Sequence, residues 1–185
     1  MNLILASTSP RRQELLATLK LPFTVISPRF EEIPSDKIPA EEVQHQAFQK
    51  ALSIATLYPE AHVIGSDTLV ALGLEKLGKP KDDADAVQML QKLSGKIHSV
   101  WTAVVLLHHA KQTMKVSIDQ SFVVFRPLSP EEIHAYVATG EPLDKAGAYA
   151  VQGEGRKLIS KIEGREDTII GLTMEPLAGW LGGFK

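Results

Sequence analysis

Leu3-Ile-Leu-Ala-Ser-Thr-Ser-Pro-Arg-Arg12 reads as a short buried strand over Leu3 to Ala6, a turn, and the start of a helix. Ser9 is placed to act as N-cap, and Pro10 suits the first helical position, where its missing N–H costs nothing. The two cations that follow are out of place. The first turn of a helix carries the positive end of the macrodipole, which favours acids and disfavours arginine. Two readings stay open. Either Arg11 and Arg12 point to solvent, at a cost of about 0.3–1 kcal/mol, or something negative belongs beside them. Free backbone N–H groups, the hydroxyls of Ser7, Thr8 and Ser9 and two guanidinium forks together make a receptor of phosphate size.

Outward from this motif, Phe23 to Ile26 reads as a second strand, and a polar loop carrying Glu31 and Glu32 runs on to Pro39. Ala40 to Tyr58 predicts a long amphipathic helix. His62 to Leu72 predicts a strand with Gly65 in its interior, and Gly73 with Gly78 marks a hairpin excursion ending at Lys79-Pro80. Asp82 to Leu93 has helical spacing, with Val87, Leu90 and Leu93 on one side and Ser94-Gly95-Lys96 closing it. Strands over 97–108 and 114–126 come next, and Ser129-Pro130-Glu131-Glu132 opens a further helix. Gly140 to Gly155 is glycine-rich and reads as irregular. Leu158 to Ile162 and Leu172 to Leu181 read as a strand and a terminal helix. With no repeat period and no interdomain linker in view, residues 1–185 are expected to form a single domain.

A chain of 185 residues, 44% of them apolar, can build a sizeable core. Its 20 basic and 22 acidic residues leave a net charge of -2, which argues against a sequence-independent grip on long nucleic acid. Positive charge for an anionic ligand must therefore be focused locally. The absence of cysteine excludes a disulfide framework, thiolate zinc sites and thiol catalysis. The apolar run before Pro10 is too short for a signal peptide and no long apolar segment follows, so the expectation is a cytoplasmic protein without membrane association.

Two further residues are misfits in their surroundings. On a helical wheel Lys50 falls inside the apolar stripe of Val43, Ala47, Ile54 and Leu57, away from Gln46 and Gln49 on the polar face. It either snorkels along the stripe edge or reaches a cleft and meets an anion, since an ammonium buried alone is costly. Asp67, in Gly65-Ser-Asp-Thr68, is a lone carboxylate between Val63, Ile64, Leu69 and Val70. Aspartate is a poor strand former and is seldom buried unpaired. It is either a structural acceptor for backbone N–H groups or, with a phosphate receptor and Glu32 nearby, a general base or Mg²⁺ ligand.

Other features lead to less. His108 and His109 are consecutive on a strand and face opposite ways, which disfavours a shared metal. Gly153-Glu154-Gly155 lacks the third glycine of a dinucleotide fingerprint, and neither a Walker loop nor a serine elbow is present. His98 and Trp101 read as packing residues.

The motifs resemble, in order and across nearly the whole chain, those of the Maf family of nucleoside triphosphate pyrophosphatases. The matching segments are Leu5-Ala-Ser-Thr-Ser-Pro-Arg-Arg12, Gly65-Ser-Asp-Thr68, Leu77-Gly-Lys-Pro80, Leu93-Ser-Gly-Lys-Ile-His98 and Glu141-Pro-Leu-Asp-Lys-Ala-Gly-Ala-Tyr-Ala-Val-Gln-Gly153. The last is similar to the branch acting on dTTP and UTP. The resemblance implies an α/β fold with a long mixed β-sheet flanked by helices, two lobes with a central cleft, related to the inosine triphosphate pyrophosphatases, and a homodimer. It implies Asp67 as proton acceptor, Arg11, Thr68 and Gln152 as specificity residues, Ser7, Arg12, Lys50 and Lys79 as phosphate ligands, and Glu32 with Asp67 as ligands of Mg²⁺ or Mn²⁺. The implied activity is hydrolysis of dTTP and UTP, modified pyrimidine nucleotides included, to the monophosphate and pyrophosphate, a housecleaning role. Ala150 stands where the family commonly has glycine, Arg165-Glu-Asp-Thr168 where an aromatic residue is usual, and Thr173 at a common proline position. Two alternatives stay open: a pyrophosphatase of 7-methyl-GTP or another modified nucleotide, and a nucleotide-binding regulator of cell division.

Overall fold

The computed structural model describes residues 2–30 and 35–183. β1 (Leu3–Ala6) runs parallel to β2 (Thr24–Ile26) on one side and to β3 (His62–Leu72) on the other, with Ala6 opposite both Ile26 and Gly65. All four residues of β1 are buried, as an apolar run without alternation requires when both sheet faces are covered. On one face Leu3, Leu5 and Ile64 pack with Leu16 of α1 (Pro10–Ala17) and with Leu177 and Leu181 of α6 (Met174–Leu181). The opposite face receives α2 (Pro39–Ala55). There Gly65 is a spatial necessity: a Cβ on it would lie 2.2 Å from the carbonyl oxygen of Ala47 and 2.9 Å from the Cβ of Ala51. Only glycine lets the helix backbone come down onto the strand at that point.

The hairpin expected from Gly73 forms between β3 and β4 (Glu75–Leu77), antiparallel, with Gly73 in the left-handed region at φ 63°. Asp82 caps α3 (Asp83–Leu93) by accepting from the Asp85 backbone N–H at 2.8 Å. The core face of α3 is Ala86, Leu90 and Leu93; Val87, expected on that face, packs half-buried at its margin. β5 (Ile97–His108), β6 (Thr113–Phe125) and β7 (Ile159–Glu163) complete a mixed sheet of order β2-β1-β3-β5-β6-β7, β7 antiparallel to β6. A capping box between Ser129 and Glu132 opens α4 (Pro130–Val137). Gly140 to Gly155, expected to be irregular, carries three short 3-10 turns, the last running on to Leu158, and α5 (Glu166–Ile170) is a short helix the periodicity did not reveal. Among the described residues no helix is long and apolar enough to cross a membrane.

The α/β class with a helix-flanked mixed sheet is thus as expected. The chain groups into two compact units: Met1–Asp67, Thr102–Asp119 and Gly171–Lys185 in the first, Thr68–Trp101 and Gln120–Ile170 in the second. Each of β3, β5 and β6 gives residues to both, so three of the four crossings between the units run along strands and the fourth follows α5 directly. That is why no linker is visible in the sequence. The core of the first unit is the cluster around Leu3, Leu5 and Leu16. That of the second is built on Leu90, Leu93, Phe125, Ile133 and Tyr149.

Candidate active site

In the first unit the loop after β1 and the middle of β3 carry the misfit residues. β1 ends at Ala6, level with Gly65 of its parallel neighbour, so Ser7 to Ser9 lie at the carboxyl end of the strand. Ligands of open α/β sheets commonly bind there. Ser9 is the N-cap residue of α1 as expected, but its side chain makes no cap; instead its backbone N–H donates to Ser7 Oγ at 3.2 Å. Pro10 occupies the first turn and no acid does. Arg11 and Arg12 are half-buried rather than solvated. The Nε of Arg12 donates to the carbonyl of Gly171 at 2.8 Å, and its terminal nitrogen lies 3.5 Å from Ser7 Oγ. A structural acceptor thus holds one edge of this guanidinium.

The same carbonyl ties the loop to β3. Ser66 Oγ lies 2.8 Å from Gly171 O and 2.9 Å from Ala103 O and shares its one hydrogen between them. Ser66 is fully buried, and the next residue, Asp67, points to the opposite face, the side of α2. There Lys50 Nζ donates to Asp67 Oδ1 at 2.6 Å, with both side chains only 10% exposed. The cation in the apolar stripe and the carboxylate in the apolar strand are therefore one ion pair. The bland expectation for Lys50 does not hold: it is buried and meets an anion rather than snorkelling. Its neighbour one turn back, Gln46, was read on the polar face and is in fact buried. Glu42, Gln46 and Lys50 form a row of buried polar groups at spacing of four, with Gln46 Nε2 donating to Glu42 Oε1 at 3.1 Å. Ser35 donates to the other oxygen of Glu42. The wheel placed Gln46 wrongly because the covered arc of α2 is wider than its apolar stripe.

The second unit holds Thr68, Lys79 and Gln152. Thr68 is half-buried, and Lys79 and Gln152 are exposed. Gly78, beside Lys79, accepts from the Gly147 backbone N–H at 3.0 Å, which ties the 3-10 segment before Gln152 to the turn that carries the lysine. Gly147 has φ 69° and a Cβ there would lie 2.9 Å from Val70 Cγ1, so this approach also needs glycine. Tyr149 is anchored by His98 Nε2 at 2.8 Å, and the two rings pack edge to face with Phe125. Burial pushes the His98 imidazole down to about 4, so it is neutral and structural. His108 is buried against His62 while His109 is exposed, so the two consecutive residues face opposite ways as expected.

Glu32 lies outside the described residues. Among those described, no group of three His, Asp or Glu side chains could hold a metal ion. One buried carboxylate nevertheless suits magnesium, which keeps several waters and takes one or two carboxylates together with substrate phosphates.

The sequence profile described as "Maf-like protein" matches residues 2–184. The chain belongs to the Maf family. Among its relatives, the dTTP/UTP pyrophosphatase of Aquifex aeolicus is 47% identical over 96% of this chain and 92% of its own. That of Bacillus velezensis is 46% identical over 92% and 89%. The solved structure of the Staphylococcus aureus Ham1 protein covers all of this chain and all of its own, with a TM-score of 0.57 at 18% identity, a likeness of fold alone. The inosine triphosphate pyrophosphatase-like architecture implied by the motifs is this one. Of the departures from the family pattern, Arg165 pairs with Asp167 through two bonds of 2.9 and 3.1 Å, and Thr168 is fully buried, so this segment is internally built. Thr173 is buried with its hydroxyl unpaired, a cost that proline at the same N-cap position would not carry. Ser66, Glu42 and Glu141 were not singled out from the sequence. Single polar side chains such as these, in otherwise ordinary patterns, give no periodic signal.

Proposed function

We propose that this chain is a nucleoside triphosphate pyrophosphatase that converts dTTP and UTP to the monophosphate and pyrophosphate. The observation that carries the reading is the buried Lys50–Asp67 pair, on the strand whose parallel neighbour β1 leads directly into the arginine-bearing start of α1. The names of the relatives that match over nearly their whole length support the choice of substrate.

In the proposed reaction water attacks the α-phosphorus in line with the departing pyrophosphate. Asp67 is the only described group among these that can take the proton, and it orients or deprotonates that water. Lys50, 2.6 Å away, fixes the carboxylate in one position and offers a cation to the phosphates. Ser7, Arg11, Arg12 and Lys79 neutralise charge that otherwise repels itself, so positioning and electrostatics account for most of the catalysis. Asp67 and Glu32 would hold Mg²⁺ or Mn²⁺, which when bound supplies charge neutralisation on the phosphate oxygens. Arg11, Thr68 and Gln152 read the base; an amide that both donates and accepts suits the edge of a pyrimidine. Residues 1–185 work as one catalytic domain, as a homodimer, in the cytoplasm, without long nucleic acid as partner.

The test is pyrophosphate release from dTTP, UTP, CTP, GTP and 7-methyl-GTP with Mg²⁺, by wild type and Asp67→Asn. Wild type should favour dTTP and UTP, and the variant should lose about 10²–10⁴-fold, the usual range for a general base. Preference for 7-methyl-GTP would reassign the substrate. Saturable binding without release above the Asp67→Asn level would make the protein a nucleotide-binding regulator instead.

A further inference from the structure

Gly153-Glu154-Gly155, which fails as a dinucleotide fingerprint, has a different purpose in the fold. The carboxylate of Glu141 sits within this stretch. Its Oε1 accepts from Tyr136 Oη at 2.8 Å and from the Gly155 backbone N–H at 3.0 Å, while Oε2 accepts from the Glu154 N–H at 3.1 Å. The phenol oxygen of Tyr136 in turn accepts from the Ala150 N–H at 3.2 Å. Backbone on both sides of Gln152 is thereby tied to one carboxylate and one buried phenol. The glycines make room for them: a Cβ on Gly153 would lie 2.6 Å from Glu141 Oε2, and one on Gly155 would lie 2.7 Å from Tyr136 Oη. Gly153 also has φ 71°. Gln152 itself is exposed and forms no side-chain hydrogen bond to a described residue, so its backbone alone determines where its amide is presented.

We propose that Glu141, with Tyr136 behind it, is the positioning residue that gives Gln152 its base selectivity. The inference rests on the reading of Gln152 as a base-contacting residue. The chemistry is specific to an ionised carboxylate, because every partner of the Glu141 carboxylate is a donor. In Glu141→Gln one oxygen becomes an NH₂ group, and in either orientation of the amide a donor then faces a donor. The 150–155 backbone loses its register on the carboxylate, while Asp67 and Lys50 lie in other elements and are untouched.

The experiment compares kcat and KM for dTTP, UTP, CTP and GTP in wild type, Glu141→Gln and Tyr136→Phe, with thermal melts alongside. Glu141→Gln should leave kcat for dTTP within about threefold, raise its KM, and lower the dTTP-over-GTP ratio of kcat/KM by about tenfold, the scale of one misplaced pocket contact. Tyr136→Phe keeps the carboxylate but strips the Ala150 N–H of its acceptor, and should lower the ratio by about threefold. If Glu141→Gln does not fold, Tyr136→Phe decides. A pyrimidine-selective wild type whose ratio survives in the folded variants overturns this inference alone. A wild type without base preference overturns it together with the proposed substrate.

Discussion

Lys50 and Asp67 each violate a rule of their element, and the violation disappears once they are seen together. A cation in an apolar stripe and a carboxylate in an apolar strand are both expensive alone, whereas a pair 2.6 Å apart is offset by mutual attraction. Such a pair is weak evidence of stability, because hydrophobic replacements often do as well. Its presence therefore points to chemistry. Lys50→Met should destabilise by about 3–5 kcal/mol, the usual cost of leaving one charge buried without its partner. Lys50→Met with Asp67→Leu should regain most of that stability in urea unfolding and yet release no pyrophosphate. Recovery of activity in the double variant would show that the pair only holds the fold. The sequence exposed both misfits but not their pairing, since the contact joins residues 17 apart in two different elements. It also hid Gln46, whose burial follows from how broadly α2 is covered and not from its own neighbours in sequence.

At the level of elements, what could be read was what depends on local chemistry. β1 and β3 begin and end where the apolar runs do, and α4 begins at its capping box. α2 stops at Ala55, short of Tyr58, because the last apolar residues of the stripe, Leu57 among them, remain exposed after the helix has left the sheet. α5 is too short to show a period. The α2–β3 contact depends on Gly65, and that makes it the most sensitive point of the assembly around Asp67. In Gly65→Ala the new methyl would meet backbone, the Ala47 carbonyl oxygen at 2.2 Å, which no rotamer change relieves. The variant should lose at least about 3 kcal/mol, at or above the upper end of ordinary overpacking. Because relief requires α2 to lift from the strand, Lys50 should leave Asp67 and pyrophosphate release should fall together with the unfolding midpoint. A Gly65→Ala protein of normal activity and stability would refute this account of the close approach.

The chain returns twice to the first unit, once along β5 and once directly after α5, so the two-unit organisation had no signature in composition or linker. Stability of the molecule against acid, by contrast, has a legible contribution from single buried side chains, His98 first among them. His98 is enclosed by Phe125 and Tyr149, its Nδ1 has no partner, and burial lowers its folded value to about 4 from an ordinary 6.5. The folded state thus binds fewer protons than the unfolded chain between those values. The stabilisation is fully present above the unfolded value and is lost progressively as pH falls from 6.5 towards 4, at up to about 1.4 kcal/mol per pH unit from this group. His62, also lowered by burial and by the nearby His108 and Lys111, acts in the same direction. His98→Gln, which retains a polar atom for Tyr149 but does not titrate, should be less stable than wild type at pH 7 and show a shallower decline between pH 6.5 and 4 in urea titrations. Parallel stability–pH curves for the two proteins would mean that His98 titrates as freely in the folded state as in the unfolded one, and that acid lability arises elsewhere.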